Sequence, residues 1–313
     1  MKGETEKPIH LTQLILLLHN LPGVGEQTLA RTLAYIRENK VSPREFLAFT
    51  PKQWREQLCI GEAPTTLFFQ QKEELLTKSR ELERVRRLHD VHIFEIGSAA
   101  YPPCLEAYDD IPPPVLYARG NLSLLEATKT GFRFAVLVSN NPSPAILQKL
   151  DDIVSALASA DGIVVTGHDR LPYQKTAIVG HRLGRPILYV LDQGLRCALG
   201  ANFDRILFAE ARIHEMSFNS DVDLAVSAFP IDVPAQHNLQ RRDRLVTCFA
   251  DVLIALDVQP NRVMFAEAKR AFRQERPLYV YDGGRDGNRL LLEMGATKLP
   301  QTPDWVERVK ERL

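Results

Sequence analysis

The chain has 313 residues, of which 45% are hydrophobic and 25% are charged. These proportions are typical of a globular chain that buries a substantial core, and they argue against extensive disorder. Lys plus Arg and Asp plus Glu both number 39, so the net charge is zero. This balance argues against a protein that coats nucleic acid through bulk positive charge, but it is compatible with a local basic pocket.

The sequence predicts a cytoplasmic chain without a membrane segment. The N-terminal stretch MKGETEKPIH lacks the apolar core of a signal peptide, and no apolar run is long enough to cross a bilayer. The cysteines form no CxxC pair and have no histidine at ligand spacing; they are Cys59, Cys104, Cys197 and Cys248. This usage favours buried thiols in a reducing compartment over a zinc site. We therefore predict no metal and no cofactor.

Residues 1–90 predict a small helical domain. Helical patterns run over Leu11–Asn20, Gly25–Glu38, Pro43–Leu58 and Leu67–Leu88. The first two are separated by LPGVG, in which Gly23 and Gly25 leave backbone N–H groups exposed at a helix N-terminus. Such a site suits a phosphate and is typical of a helix-hairpin-helix element. The alternative is a compact turn that joins two packed helices and binds nothing, since few basic residues surround it.

Residues 91–300 predict a second domain of a different class. Short apolar runs alternate with helical stretches; they are FRFAVLV, GIVVT, PILYVL, DLAVSAF, VLIAL and PLYVY. Strands that are apolar throughout and separated by helices predict an α/β fold, a Rossmann-like parallel sheet with helices on both faces. Ligands of such sheets bind beyond the carboxyl ends of the strands. Residues 301–313 predict one last helix.

The proline-rich segment YPPCLEAYDDIPPPVLYARGNLSLL, at 101–125, leads into this sheet. Its order of Y-P, L, D-x-P, V-L-Y, G-N and L closely resembles the entrance to the Rossmann-like domain of the DprA/Smf family of DNA-processing proteins. Further parts of the family pattern follow in order: GRPILYVLDQGL at 184–195, the arginines that open the helix after residue 240, and GNRLLLEMGA at 287–296. The resemblance covers nearly the whole chain, to about residue 300, and lacks the winged-helix tail of many members.

The resemblance implies a protein that binds single-stranded DNA in a basic pocket at the carboxyl edge of the sheet. It also implies a homodimer that acts in DNA processing and recombination with protein partners such as a recombinase, and no catalytic reaction. Matched to the family's helix start, Arg242 and Arg244 are the expected phosphate contacts, together with the neighbouring Arg241 and with Gly167 after the second apolar run. Guanidinium forks suit phosphate oxygens, and a helix N-terminus adds partial positive charge. The alternative is a solvated helix turn in which these arginines pair with Asp243 and Asp251.

The chain departs from the family at several of the expected contacts. Asn141 stands where the family has a phosphate-binding arginine after the first strand. Several family glycines are missing after Gly167, although Lys175 adds positive charge there. Arg262 either replaces the missing arginine across the pocket or fills the pocket. Glycines allow a close approach of backbone to ligand, so their loss predicts a narrowed or redirected pocket.

Two other functions remain open at this level. The same pocket suits a nucleotide or signalling molecule, as in a sensor or a neutralising, antitoxin-like partner of a toxin in phage defence. An enzyme that cleaves a base–sugar bond needs an acid at a strand end, a position that Asp257 occupies. No acid and base with convincing spacing accompany it, and His168-Asp169 is interpreted as a polar loop.

Overall fold

The computed structural model describes residues 9–126, 131–235 and 239–312, and the chain divides into two compact units. The smaller unit comprises the residues up to Tyr101 together with Pro113–Tyr117, and the larger unit comprises Pro102–Pro112 and the residues from Ala118 onward. The sequence predicts a boundary after residue 90, whereas the first strand belongs to the smaller unit. The backbone N–H of Ile96 donates to the carbonyl of Pro114 there, at 3.0 Å.

The smaller unit is mainly helical. Its elements are α1 (Leu11–His19), α2 (Glu26–Glu38), α3 (Pro43–Ala48), α4 (Pro51–Glu56), α5 (Glu62–Gln70), α6 (Lys72–Leu88) and β1 (His92–Glu95). Two predicted helices are each divided in two. Thr50 starts a new helix after α3, because it forms a capping box with Gln53 and is followed by Pro51. The segment predicted over 67–88 is likewise broken, at Gln71.

The larger unit alternates strands and helices. Its strands are the end of β2 (Val115–Gly120), β3 (Arg133–Val138), β4 (Ile163–Thr166), β5 (Ile187–Leu191), β6 (Leu224–Ser227), β7 (Val252–Asp257), β8 (Leu278–Val280) and β9 (Thr297–Lys298). Its helices are α7 (Pro103–Tyr108), α8 (Pro144–Ser159), α9 (Leu171–Arg182), α10 (Leu195–Leu199), α11 (Leu239–Phe249), α12 (Val263–Arg273), α13 (Asp286–Glu293) and α14 (Trp305–Lys310). The six apolar runs of the sequence correspond to β3 through β8.

Seven parallel strands of the larger unit follow the order β6-β5-β4-β3-β7-β8-β9. Helices α8 and α9 pack against each other and against β3, β4 and β5. Helices α11, α12 and α13 form a second packed group, which covers the other face of the sheet. Every residue of β3 to β8 is buried, as expected for a parallel sheet covered on both faces. The Rossmann-like α/β fold predicted from the sequence is therefore confirmed.

The strand order reverses between β3 and β7. The chain leaves β3 toward β4 on one side, and it leaves β7 toward β8 on the other. The loops that follow these two strands therefore diverge and open a crevice at the carboxyl edge, which is the usual ligand position in such sheets. Among the described residues, no helix combines the length and the apolar character needed to span a membrane.

Candidate nucleic-acid interface

A buried cluster of charges lies beyond the carboxyl end of β4. Arg242, in the first turn of α11, is fully buried and contacts the carboxylates of Asp169 and Asp243. Its Nε lies 2.6 Å from Asp243 Oδ1, and its guanidinium carbon lies 4.8 Å from the ring centre of Tyr173. The same Asp243 oxygen accepts from Arg170 Nη2 at 3.0 Å and from the Tyr173 hydroxyl at 2.8 Å.

The charges of this cluster compensate one another. Two guanidinium groups, of Arg170 and Arg242, face two carboxylates, of Asp169 and Asp243. Burial by itself lowers the pKa of Arg242, and the surrounding Tyr173, Asp243 and Asp169 more than offset it, so that this pKa is raised. A phosphate in contact with Arg242 would have to displace Asp169 or Asp243, the carboxylates that already compensate its charge. The environment of Arg242 is that of an internal ion pair rather than of an open anion site.

Arg241 and Arg244 are held in the same way on the other side of α11. Arg241 is buried, and its Nη1 donates to Asp109 Oδ2 and to the carbonyl of Ile111, both at 2.8 Å. Arg244 lies 3.5 Å from Asp109 and 3.3 Å from the buried Glu267. Thus none of the three arginines predicted as phosphate contacts presents an uncompensated guanidinium. Their partners Asp109 and Glu267 fix α11 against α7 and α12.

Gly167, Lys175 and Asn141 also serve internal contacts. A Cβ at Gly167 would lie 2.7 Å from the Tyr173 ring, so the missing side chain admits this ring rather than a ligand. Lys175 Nζ lies 2.9 Å from Asp151 Oδ2. Asn141 has a φ of +55°, and its carbonyl accepts from the guanidinium of Arg285. As ligand contacts, these three residues remain predictions.

Arg285 bridges the two loops at the switch point. Its Nε lies 3.0 Å from Asp257 Oδ2 at the end of β7, and its other nitrogens donate to the carbonyls of Asn140 and Asn141 after β3. Burial raises the pKa of Asp257, and the Arg285 guanidinium opposes that effect. The carboxylate considered for a base–sugar hydrolase is therefore buried and ion-paired. Sequence reasoning missed Arg285; the only signal was an arginine inside the glycine-rich GGRDGN after β8.

Arg262 differs from the other predicted site arginines. It is exposed at the start of α12, and its side chain has no hydrogen bond or ion pair within the described residues. It lines an open cavity of about 540 Å³ with Arg285 at the carboxyl edge; the other lining residues are Gln259, Pro260, Gly284 and Asp286. The first turn of α12 contains no acidic residue and no side-chain cap. This cavity therefore contains an exposed guanidinium and lies beside the uncapped N-terminus of α12.

His168 and the glycines of the predicted helix-hairpin-helix lie away from the cavity at Arg262 in the sequence. His168 is buried with Nε2 at 3.7 Å from Asp192, and burial lowers its pKa despite that neighbour. In the smaller unit, Gly23 has a φ of +87° in the turn between α1 and α2, and Gly25 precedes α2 with open space around it. The hairpin geometry is present, and its role in phosphate binding remains a prediction.

Solved structures provide the comparison for this fold. No protein-family model and no curated protein matches the chain. The structure of DNA processing protein A from Streptococcus pneumoniae is similar with a TM-score of 0.70 and 18% identity, over 96% of this chain and 98% of that one. DNA processing protein A from Helicobacter pylori is similar with a TM-score of 0.55 and 20% identity, over 71% of this chain and 96% of that one. The chain thus has the fold of the DprA proteins that its sequence motifs resemble.

Proposed function

We propose that the chain binds single-stranded DNA at the carboxyl edge of the larger unit, through the cavity at the β3–β7 switch point. The observation that carries this proposal is Arg262, an exposed guanidinium at the β3–β7 strand-order reversal that has no partner within the part of the chain that the structure describes. The similarity to DprA supports it, since the Helicobacter pylori protein has a single-stranded DNA binding mode. The role is binding rather than catalysis.

The local electrostatics favour an anion at this cavity. Arg262 provides donors in the planar arrangement that matches phosphate oxygens, and the uncapped N-terminus of α12 adds N–H groups and partial positive charge. Asp286 is the acidic residue on the cavity wall, and Arg289 lies 3.8 Å from its carboxylate. Because the net charge of the chain is zero, attraction of the strand rests on this local field rather than on the whole surface.

Arg262→Ala tests the proposal directly. We expect it to weaken binding of a labelled single-stranded oligonucleotide about five- to thirtyfold at low salt, equivalent to ~1–2 kcal/mol for one charge-assisted contact. The slope of log affinity against log salt should fall by about 0.7, the value for one lost contact on a single strand. Arg273→Ala is the matched control, because this residue is exposed at the other end of the same helix.

The two variants distinguish binding at this cavity from binding to overall positive charge. Equal losses in Arg262→Ala and Arg273→Ala would show that binding follows overall charge and not this cavity. Undetectable binding by the unaltered protein at low salt would refute the proposed function altogether.

A nucleotide is the second candidate ligand, because a cavity of about 540 Å³ has the size of a small-molecule site. This candidate corresponds to a sensor or to an antitoxin-like partner protein. A melting-temperature rise with mononucleotides but not with oligonucleotides would favour it over strand binding.

Homodimer formation and association with a recombinase or a toxin-like protein form part of the same proposal. They rest on the resemblance to DprA alone. Light scattering of the purified chain measures the oligomeric state, and a monomer at all concentrations tested would remove the homodimer from the proposal.

A further inference from the structure

A second cavity, of about 330 Å³, is lined by two aromatic rings and several polar side chains. Tyr281 directly follows β8, Trp305 opens α14, and Lys149 and Asp152 come from α8; Gln301 lies on the segment between β9 and α14. Both rings are only partly buried. Sequence analysis assigns these residues no common role, because they are far apart along the chain.

The cavity is a built site rather than a gap between loops. Lys149 and Asp152 are three residues apart on α8 and therefore project to the same side. Lys149 Nζ lies 5.7 Å from the ring centre of Tyr281, within the range of a cation–π contact. The turn at Gly283 also lies close to this ring, since an added Cβ there would be only 2.7 Å from it.

Both aromatic rings line the same cavity. Within the described residues, Tyr281 and Trp305 form no ring–ring contact, although both line the cavity. Flat ligands bind such aromatic walls by stacking, and every nucleobase presents a π-face for this contact. Gln301 and Asp152 add an amide and a carboxylate, which suit the donors and acceptors on base edges. A cation beside the rings suits the attached phosphate.

The two cavities are lined by residues that are close together in the sequence after β8. The backbone N–H of Gly284 donates to the carbonyl of Tyr281 at 3.4 Å and closes a turn between them. Tyr281 lines the second cavity, whereas Gly284, Arg285 and Asp286 line the first. A strand held at Arg262 therefore has a neighbouring aromatic cavity at the same edge of the sheet.

We propose that this second cavity holds a nucleobase of the bound single strand, stacked on Tyr281 and Trp305. The inference rests on the proposed function and adds a base-stacking site to it. Helix α14 supplies one wall, so the C-terminal tail contributes to binding. Base stacking is tolerant of sequence, which fits a protein that follows a strand rather than reading one.

Tryptophan fluorescence tests the proposal in the full chain. The chain has two tryptophans, and Trp54 is fully buried in the smaller unit, so quenching by an oligonucleotide reports Trp305. We expect quenching on titration with a single-stranded oligonucleotide. By anisotropy, Trp305→Ala and Tyr281→Ala should each bind about tenfold more weakly, whereas Trp305→Phe and Tyr281→Phe retain the ring and should bind within about threefold of the original protein.

The salt dependence separates stacking from phosphate contact. Trp305→Ala should lower affinity equally at every salt concentration, whereas Arg262→Ala should change the slope. A second measurement does not depend on how a variant folds: the unaltered protein should bind an oligonucleotide with consecutive abasic sites about tenfold more weakly than the intact strand, although the phosphates are the same.

Equal affinity for intact and abasic strands, with no quenching, would overturn the stacking site while strand binding that depends on Arg262 still stood. Quenching by a mononucleotide but not by the oligonucleotide would also overturn it, in favour of a nucleotide site. Absence of any strand binding at low salt would overturn the proposed function as well.

Discussion

Replacement of Arg242 tests whether this residue stabilises the fold or contacts a ligand. The sequence places it at the helix start where the DprA/Smf resemblance implies a DNA contact, whereas the structure places it at the centre of a buried ion-pair cluster. We predict that Arg242→Ala destabilises the larger unit rather than selectively weakening DNA binding.

The magnitude follows from the groups that the substitution leaves behind. Loss of one partner of a buried ion pair costs about 3 to 5 kcal/mol, because the other charge stays buried without compensation. Here Asp243 keeps Arg170 at 3.0 Å and the Tyr173 hydroxyl at 2.8 Å, and Asp169 has a side chain that is 21% exposed and accessible to water. The lower end of that range therefore applies, and we expect a loss of about 3 kcal/mol in the free energy of unfolding.

Urea unfolding followed by circular dichroism measures this loss. Arg289→Ala is the control, because this residue is exposed on α13 and its ion pairs with Asp286 and Glu293 span 3.8 and 3.5 Å; its effect should stay within about 0.5 kcal/mol. If Arg242→Ala unfolded at the urea concentration of the original protein and yet lost strand binding, Arg242 would be a DNA contact and the structural reasoning would be refuted.

Two further predictions concern packing and pH. Gly167→Ala should lower the free energy of unfolding by about 1 to 3 kcal/mol, since its Cβ would lie 2.7 Å from the Tyr173 ring. Gly25→Ala, with open space around the added Cβ, should lower it by less than about 1 kcal/mol. A loss at Gly167 smaller than the loss at Gly25 would contradict the packing argument. Burial lowers the pKa of His19, beside the Tyr117 hydroxyl at 2.9 Å, from 6.5 to about 4. Because the folded smaller unit holds His19 neutral, its free energy of unfolding is highest above pH 6.5 and falls by about 2 to 3 kcal/mol as the pH drops toward 4. His19→Gln should remove this pH dependence of unfolding. An unchanged pH profile in that variant would contradict the assignment.

The fold was predictable because its signals are local. Six apolar runs separated by helical stretches were enough to predict a parallel sheet, and they correspond to β3 through β8. The helix divisions at Thr50 and Gln71 were missed, since the apolar period continues across both breaks. At Thr50 the sequence signals of a new helix were the capping box of Thr50 with Gln53 and the proline that follows at Pro51.

The candidate site was only partly predictable, because charge compensation is not local. Arg241 meets Asp109 from 132 residues away, and Arg242 meets Asp169 from 73 residues away. Asp243, next to Arg242, is a local partner, but the sequence around these arginines does not indicate the distant Asp109 and Asp169. Arg262 was identified as a candidate, and its guanidinium is exposed at the carboxyl edge, without a hydrogen bond or ion pair within the described residues.

The family resemblance predicted the fold correctly but did not predict the contacts of the candidate site residues. At 18% identity to the Streptococcus pneumoniae structure, the fold is retained, with a TM-score of 0.70. Asn141 stands where the family pattern has an arginine, and the guanidinium of Arg285, from the loop after β8, donates to its carbonyl. The narrowing of the pocket stays a prediction, and an open cavity lies at Arg262 and Arg285.

A salt-series titration of single-stranded oligonucleotide against the unaltered protein and Arg262→Ala tests the central claim most directly. The account predicts measurable binding at low salt, a five- to thirtyfold loss in the variant and a slope reduced by about 0.7. Identical affinities and slopes for the two proteins would contradict it.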